Sequence, residues 1–129
     1  MSRGAPPDAR QVTIQGEVPF HDVDAQRIVW HGHYLKYLEL ARTAWIRSFG
    51  CDVADVEAAG YDLVVVETRI RHSFPLRYGE RYEVRSWCTE IENRIRIAYE
   101  VWNLDHDRRS ARAHTILATT DREGKPLYE

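Results

Sequence analysis

One segment of this chain has helical spacing over a length that suits nothing else. From Tyr34 to Phe49, the residues Tyr34, Leu38, Ala41, Trp45 and Phe49 recur at intervals of three or four, with Tyr37 and Ile46 beside them. Lys36, Arg47 and Ser48 take other faces, and Gly50 supplies a C-terminal stop. The aromatic residues fall on more than one side of this helix. A helix so apolar has to be covered by something broad, and the rest of the chain is mostly strand-like.

Before the helix, Val12, Ile14, Gly16, Val18 and Phe20 alternate with Thr13, Gln15 and Glu17, the period of a strand with one buried face. Pro19 sets the end of that strand at an edge or a bend. After the helix, a short second helix is expected from Asp52 to Ala59, closed by Gly60. Four strands follow: Leu63–Ile70, Tyr82–Ile91, Arg94–Leu104 and Ala111–Thr119. They are separated by a turn near Pro75–Gly79, a tight turn at Asn93 and a polar loop over Asp105–Arg109. Met1–Ala9 and residues 121–129 read as tails. One long helix among antiparallel strands means an α+β class, with a five-stranded sheet wrapped around the central helix. The 129 residues suffice for one domain, 1–129, and not for two.

Composition narrows the function by exclusion. A net charge of −2 gives no basic footprint for nucleic acid. Among the 18 basic residues only Lys36 and Lys125 are lysines, a bias toward the better phosphate fork that codon usage produces equally well. Cys51 and Cys88 fit neither a zinc spacing nor a disulfide framework, so two free thiols are expected. There is no basic-then-apolar leader, and no apolar run approaches the roughly 20 residues that span a bilayer. A soluble, cytoplasmic protein with no membrane partner is expected. No Gly-rich phosphate loop, Gly-x-Ser-x-Gly elbow or Cys-x-x-Cys occurs, and Ser48, Ser73, Ser86 and Ser110 sit in no motif.

Residues 21–33 are where ionisable groups crowd: Asp22 and Asp24 just after a strand, then His31, Gly32 and His33 where the helix would begin. Three readings fit. A carboxylate can act as general base or nucleophile on a carbonyl held at the helix N-terminus, where free N–H groups and the macrodipole stabilise a developing oxyanion. Gly32 would then allow close approach of the substrate to the backbone. Asp22, Asp24, His31 and His33 have the ligand types for a metal, but a spacing that matches no common metal motif. Finally, Asp in such a loop commonly caps backbone amides. That structural reading is preferred for Asp22 and for the histidine side chains, while Asp24 stays open between the two. The backbone amide of His31 is separate from its side chain, because it lies at the helix start.

The run from Phe20 to Leu35 resembles the 4-hydroxybenzoyl-CoA thioesterase family of hotdog enzymes, and within it the branch of acyl-CoA thioesterases associated with the Tol-Pal cluster. Glu39-Leu40-Ala41-Arg42-Thr43 resembles that family's helix segment, and Phe74 to Glu80 its turn before the third strand. The resemblance extends over roughly residues 11–127. It implies a hotdog fold and hydrolysis of an acyl-CoA thioester to an acid and free CoA, with no cofactor and no metal. By position it makes Asp24 the catalytic carboxylate and the His31 amide the group that polarises the carbonyl. It also implies Trp30 and Tyr34 as acyl-pocket walls, and a dimer, or a tetramer of dimers, with each site at a subunit interface. Basic residues that meet the CoA phosphates are then expected at Arg94 and Arg96, with Arg71 a weaker candidate. An acyl carrier protein would present its thioester in the same way. The rivals are a hotdog dehydratase, which would use a His with a carboxylate, and a hotdog that binds acyl-CoA without cleaving it. Many family members carry glycine where this chain has Gln26-Arg27, a departure that bears on the substrate.

Overall fold

A computed structural model describes residues 11–48, 61–90 and 94–121. The expected short helix at Asp52–Ala59, the Asn93 turn, the Phe49-Gly50 end of the long helix, Cys51, the Met1–Ala9 tail and residues 122–129 lie outside these residues, while Asp121, expected in the second tail, ends a strand. The elements run β1 (Gln11–Glu17), α1 (Tyr34–Arg47), β2 (Tyr61–His72), β3 (Arg81–Glu90), β4 (Ile95–Asn103) and β5 (Arg108–Asp121), with 3₁₀ turns at Phe20–Asp22 and His31–His33. The strands form one antiparallel sheet in the order β1-β3-β4-β5-β2. This is the hotdog arrangement expected from the sequence.

The helix lies on the sheet through Tyr34, Tyr37, Leu38, Ala41 and Trp45, all buried. They meet Val84 of β3, Ile97, Tyr99 and Val101 of β4, and Ala111, Ala113 and Leu117 of β5. The Tyr37 ring stacks on Tyr82 at 4.5 Å. Trimming Leu38, 1% exposed, to alanine would cost about 2–5 kcal/mol at such a site. Coverage is one-sided, however. Leu35 and Leu40 on the opposite face remain about half exposed, because five strands cover only one face of α1.

Two boundaries move from their expected places. β1 ends at Glu17 rather than Phe20, because Pro19 has no N–H to give the ladder and the chain turns into the 3₁₀ segment after it. β2 and β5 are longer than their apolar patterns, since they pair with each other from Tyr61–Asp121 to His72–Ala111, with a bulge between Val65 and Glu67. The ladder continues as long as backbone groups find partners, whatever the side chains. The β4–β5 loop is correspondingly shorter, and Asp107 takes the left-handed conformation (φ 52) that aspartate tolerates there. β2 is an outermost strand. Val64, Val65 and Val66 on it are 42%, 42% and 59% exposed, an apolar free edge.

Candidate active site

The loop between β1 and α1 is a small hairpin rather than a floppy link. Val23 and Val29 bridge, Asp24 N–H donates to the Ile28 carbonyl (3.0 Å), and Arg27 N–H donates to the Asp24 carbonyl (2.9 Å). The Asp24 side chain completes the turn by accepting the Gln26 amide at 2.8 Å. Arg27 has φ 65, the left-handed region that glycine enters freely and arginine does not. The turn therefore keeps its shape at the position where glycine is absent, with local strain of about 1 kcal/mol. The hairpin is pinned to a distant segment: Val29 N–H donates to the Leu76 carbonyl (2.8 Å), and Ile28 bridges Arg77.

Asp22 and Asp24 have separate surroundings. Asp22 is fully buried. Lys36 Nζ lies 2.6 Å from one carboxylate oxygen, and the Tyr37 hydroxyl donates to the other at 2.7 Å. Burial alone raises this carboxyl, but the Lys36 and Tyr37 hydrogen bonds, with the Lys36 and His33 charges, outweigh it and hold it below the ordinary value. Burial, followed by the hydrogen bond to Asp22 and its charge, pushes the Tyr37 phenol well up. Asp22 thus ties the loop to the first turn of α1, a structural role, but through the Lys36 and Tyr37 side chains rather than by the capping of backbone amides expected of it. His33 belongs to this cluster, 3.8 Å from Asp22.

Asp24 instead lines a cleft of about 700 Å³ with His31 and Tyr34. His31 opens the 3₁₀ turn that runs directly into α1, where helix geometry leaves N–H groups without intrahelical acceptors. No other described residue accepts from the His31 amide. Tyr34 is 3% exposed, and burial pushes its phenol up to about 12, with Ser110 beside it acting in the opposite sense. The sequence missed the opposite wall. His72, Ser73, Phe74, Pro75 and Arg77 line the same cleft, because the Val29–Leu76 and Ile28–Arg77 contacts bring that turn beside the hairpin. Nothing local in Phe74–Gly79 signals this; it reads as a turn and no more. Burial and the neighbouring His31 lower the pKa of His72.

Two expectations, for Trp30 and for Gly32, need correction. Trp30 does not line the cleft. Its ring, 49% exposed, packs between the His31 and His33 rings at 5.1 and 5.5 Å. It also covers Gly32, where an added Cβ would come within 2.3 Å of the indole, so the missing side chain there makes room for Trp30 rather than for substrate. Asp22, Asp24, His31 and His33 split between the buried cluster and the cleft, and among the described residues no three His, Cys, Asp or Glu converge on a metal position. Arg94 and Arg96 do not reach this cleft. Arg94 lies 3.5 Å from Glu90 and Arg96 donates to Thr89. Ile95 and Ile97 face the helix, which puts Arg96 on the other side of the sheet. There it borders a second depression of about 520 Å³ with Arg69, Arg71 and Arg112.

Comparison with known proteins bears on the family and the fold. The Thioesterase-like superfamily profile matches residues 18–127. A putative acyl-CoA thioesterase, YneP, of Bacillus subtilis is 33% identical over 88 residues, 67% of this chain and 64% of its own. A putative esterase of Aquifex aeolicus is 30% identical over 98 residues, 76% of each chain. A putative esterase of Synechocystis is 36% identical over 67% of this chain but 52% of its own length, so the chain spans only about half to two thirds of some relatives. Among solved structures, a 1,4-dihydroxy-2-naphthoyl-CoA thioesterase from Synechocystis superposes with a TM-score of 0.83 at 24% identity, covering 92% of this chain and 90% of that one. On the profile match, the shared fold and the identity to these relatives, the chain belongs to the thioesterase-like superfamily.

Proposed function

We propose that the protein hydrolyses an acyl-CoA thioester to a carboxylic acid and free CoA. The observation that carries this reading is the meeting of Asp24 and His31 in one cleft at the N-terminal end of α1. The thioester carbonyl would accept a hydrogen bond from the His31 amide, and the positive end of the helix would stabilise the oxyanion that forms. Asp24 takes a proton from water as the water attacks, or attacks directly to give an anhydride that water then opens. Either route ends with expulsion of the CoA thiolate, which leaves without a proton. Tyr34 walls the inner end of the cleft. An acyl group on a carrier protein would enter along the same path.

The unpaired β2 edge with its three exposed valines supports a homodimer in which the β2 strands of two copies pair, and further pairing of dimers would give a tetramer. In that assembly Arg94 and Arg96, with Arg71 nearby, serve the CoA phosphates bound at a neighbouring copy's cleft. The Phe20–Leu35 motif supports a place near the Tol-Pal-associated acyl-CoA thioesterases. Among the described residues no helix is long and apolar enough to cross a membrane, and we place the protein in the cytoplasm.

The test is CoA release from short, long and aromatic acyl-CoAs by wild type and Asp24→Asn. A fall of about 10²–10⁴-fold in kcat for the mutant supports the reading. Turnover that survives the mutation removes Asp24 from the mechanism, and no turnover by wild type removes the activity.

A further inference from the structure

We propose that Glu80 is a positioning residue for the reaction, holding Asp24 through an unbroken series of peptide hydrogen bonds; the proposal rests on the thioesterase reading above. The series starts at the Glu80 carboxylate, whose Oε1 accepts the Arg77 N–H at 2.7 Å. That N–H shares a peptide group with the Leu76 carbonyl, which accepts the Val29 N–H at 2.8 Å. The Val29 N–H shares a peptide group with the Ile28 carbonyl, which accepts the Asp24 N–H at 3.0 Å. Three hydrogen bonds and two planar amides join a side chain of the turn before β3 to the residue that meets the thioester. Asp24 stands on one limb of the hairpin, and Val29 stands on the other, two residues before His31. The series therefore sets the carboxylate relative to the His31 amide, where a displacement of about 1 Å can cost on the order of 100-fold in rate.

Glu80 is itself fixed at its far end. Its side chain is 14% exposed, and His106 Nε2 lies 2.6 Å from Oε2. Asn103, the fully buried last residue of β4, donates from Nδ2 to Glu80 Oε1 (3.1 Å) and to the Pro75 carbonyl (3.2 Å). One side-chain amide therefore grips the turn on both sides of Leu76, which is anchored in the core. Residues 73–80 lie between β2 and β3, outside both strands, so their shape depends on contacts of this kind. A carboxylate that accepts an N–H polarises the peptide behind it and makes its carbonyl the better acceptor, so each bond in the series strengthens the next. A role for Glu80 as the acid or base itself lacks support. Its Oε1 is committed to two donors, and the cleft is lined by Pro75 and Arg77 from this turn rather than by Glu80.

The experiment measures kcat and KM for CoA release by wild type, Glu80→Ala, Glu80→Asp and Glu80→Gln, together with amide hydrogen exchange of the same proteins by NMR. Alanine removes the acceptor, aspartate keeps the charge on a stem one methylene shorter, and glutamine keeps a neutral acceptor at full length. Glu80→Ala should lower kcat on the order of 10-fold or more with KM changed by less than about threefold, and Glu80→Gln should recover most of the loss. In Glu80→Ala the Asp24 and Val29 amides should gain more exchange rate than the Leu38 and Tyr99 amides of α1 and β4, whereas a merely structural role would speed all four by one factor. If Glu80→Ala does not fold, Glu80→Asp carries the test, with the same signs and a smaller size. An unchanged kcat, a loss confined to KM, a glutamine variant as poor as alanine, or uniform exchange overturns the proposal and leaves the thioesterase reading intact. Absence of turnover by wild type on every ester removes the parent reading and this one with it.

Discussion

Asp22 and Asp24 stand two residues apart in the same loop, yet Asp22 is fully buried between Lys36 and Tyr37, while Asp24 is half-buried at a cleft with one oxygen held by the Gln26 amide. The chain leaves the 3₁₀ turn at Asp22, passes through extended backbone at Val23 and enters the hairpin turn at Asp24. That change of direction sends one carboxylate under the helix and the other toward its N-terminal end. Residue type and spacing do not distinguish them, but partners do. A buried carboxylate whose two oxygens are both committed to side-chain donors is an anchor, whereas one with an oxygen to spare in a cleft is available for chemistry.

The sharpest way to break this comparison is to exchange the losses. Asp24→Asn should remove about 10²–10⁴-fold of activity with little change in the denaturation midpoint, because its partner is an exposed turn amide. Asp22→Ala should do the reverse in its primary effect, with a loss of about 3 kcal/mol in urea unfolding, since the buried Tyr37 hydroxyl is left without its acceptor. A mutant pair with equal stability would refute the anchor.

Acid titration sharpens the same contrast. The Asp22 carboxyl is held below its ordinary value when folded, so its charge contributes stability above the ordinary carboxylate range, and that contribution is lost as pH falls through the lowered value. Asp22→Asn should therefore lose stability less steeply than wild type between about pH 6 and about pH 3. Lys36→Met is a milder break. Because the ammonium is 44% exposed and the Tyr37 bond remains, about 1 kcal/mol or less is expected, read as a small shift in the urea midpoint. The smallest effect lies on the Asp24 side and has the opposite sign. Arg27→Gly should stabilise by up to about 1 kcal/mol, a rise of a few degrees in Tm, by relieving the left-handed backbone.

The helix and β4 were legible because their patterns are strong: Tyr34, Leu38, Ala41 and Trp45 for one, Ile95, Ile97, Tyr99 and Val101 for the other, and these are the residues that meet in the core. The ends of β2 and β5 were not legible, since their ladder is set by backbone pairing that runs past the apolar stretch. On the site side, Asp24, His31 and Tyr34 lie within one contiguous motif, and the structure brings them together. Trp30 sits in that motif too but turns away, a rotamer choice decided by the space over Gly32. His72 and Arg77 escaped notice because what makes them neighbours of Asp24 is the pairing of Val29 with Leu76, a contact between distant parts of the chain.

That contact has a kinetic consequence. The hairpin and helix are local and can form early, but the opposite wall of the cleft arrives only when residues 72–77 dock, and β1 is held in place only when β3 pairs with it. A nascent chain emerging from the ribosome would carry Asp24 and His31 well before it carried a pocket around them. Substrate binding should therefore appear in the slowest phase of refolding, after most helical signal has returned, and a ligand would speed no earlier step.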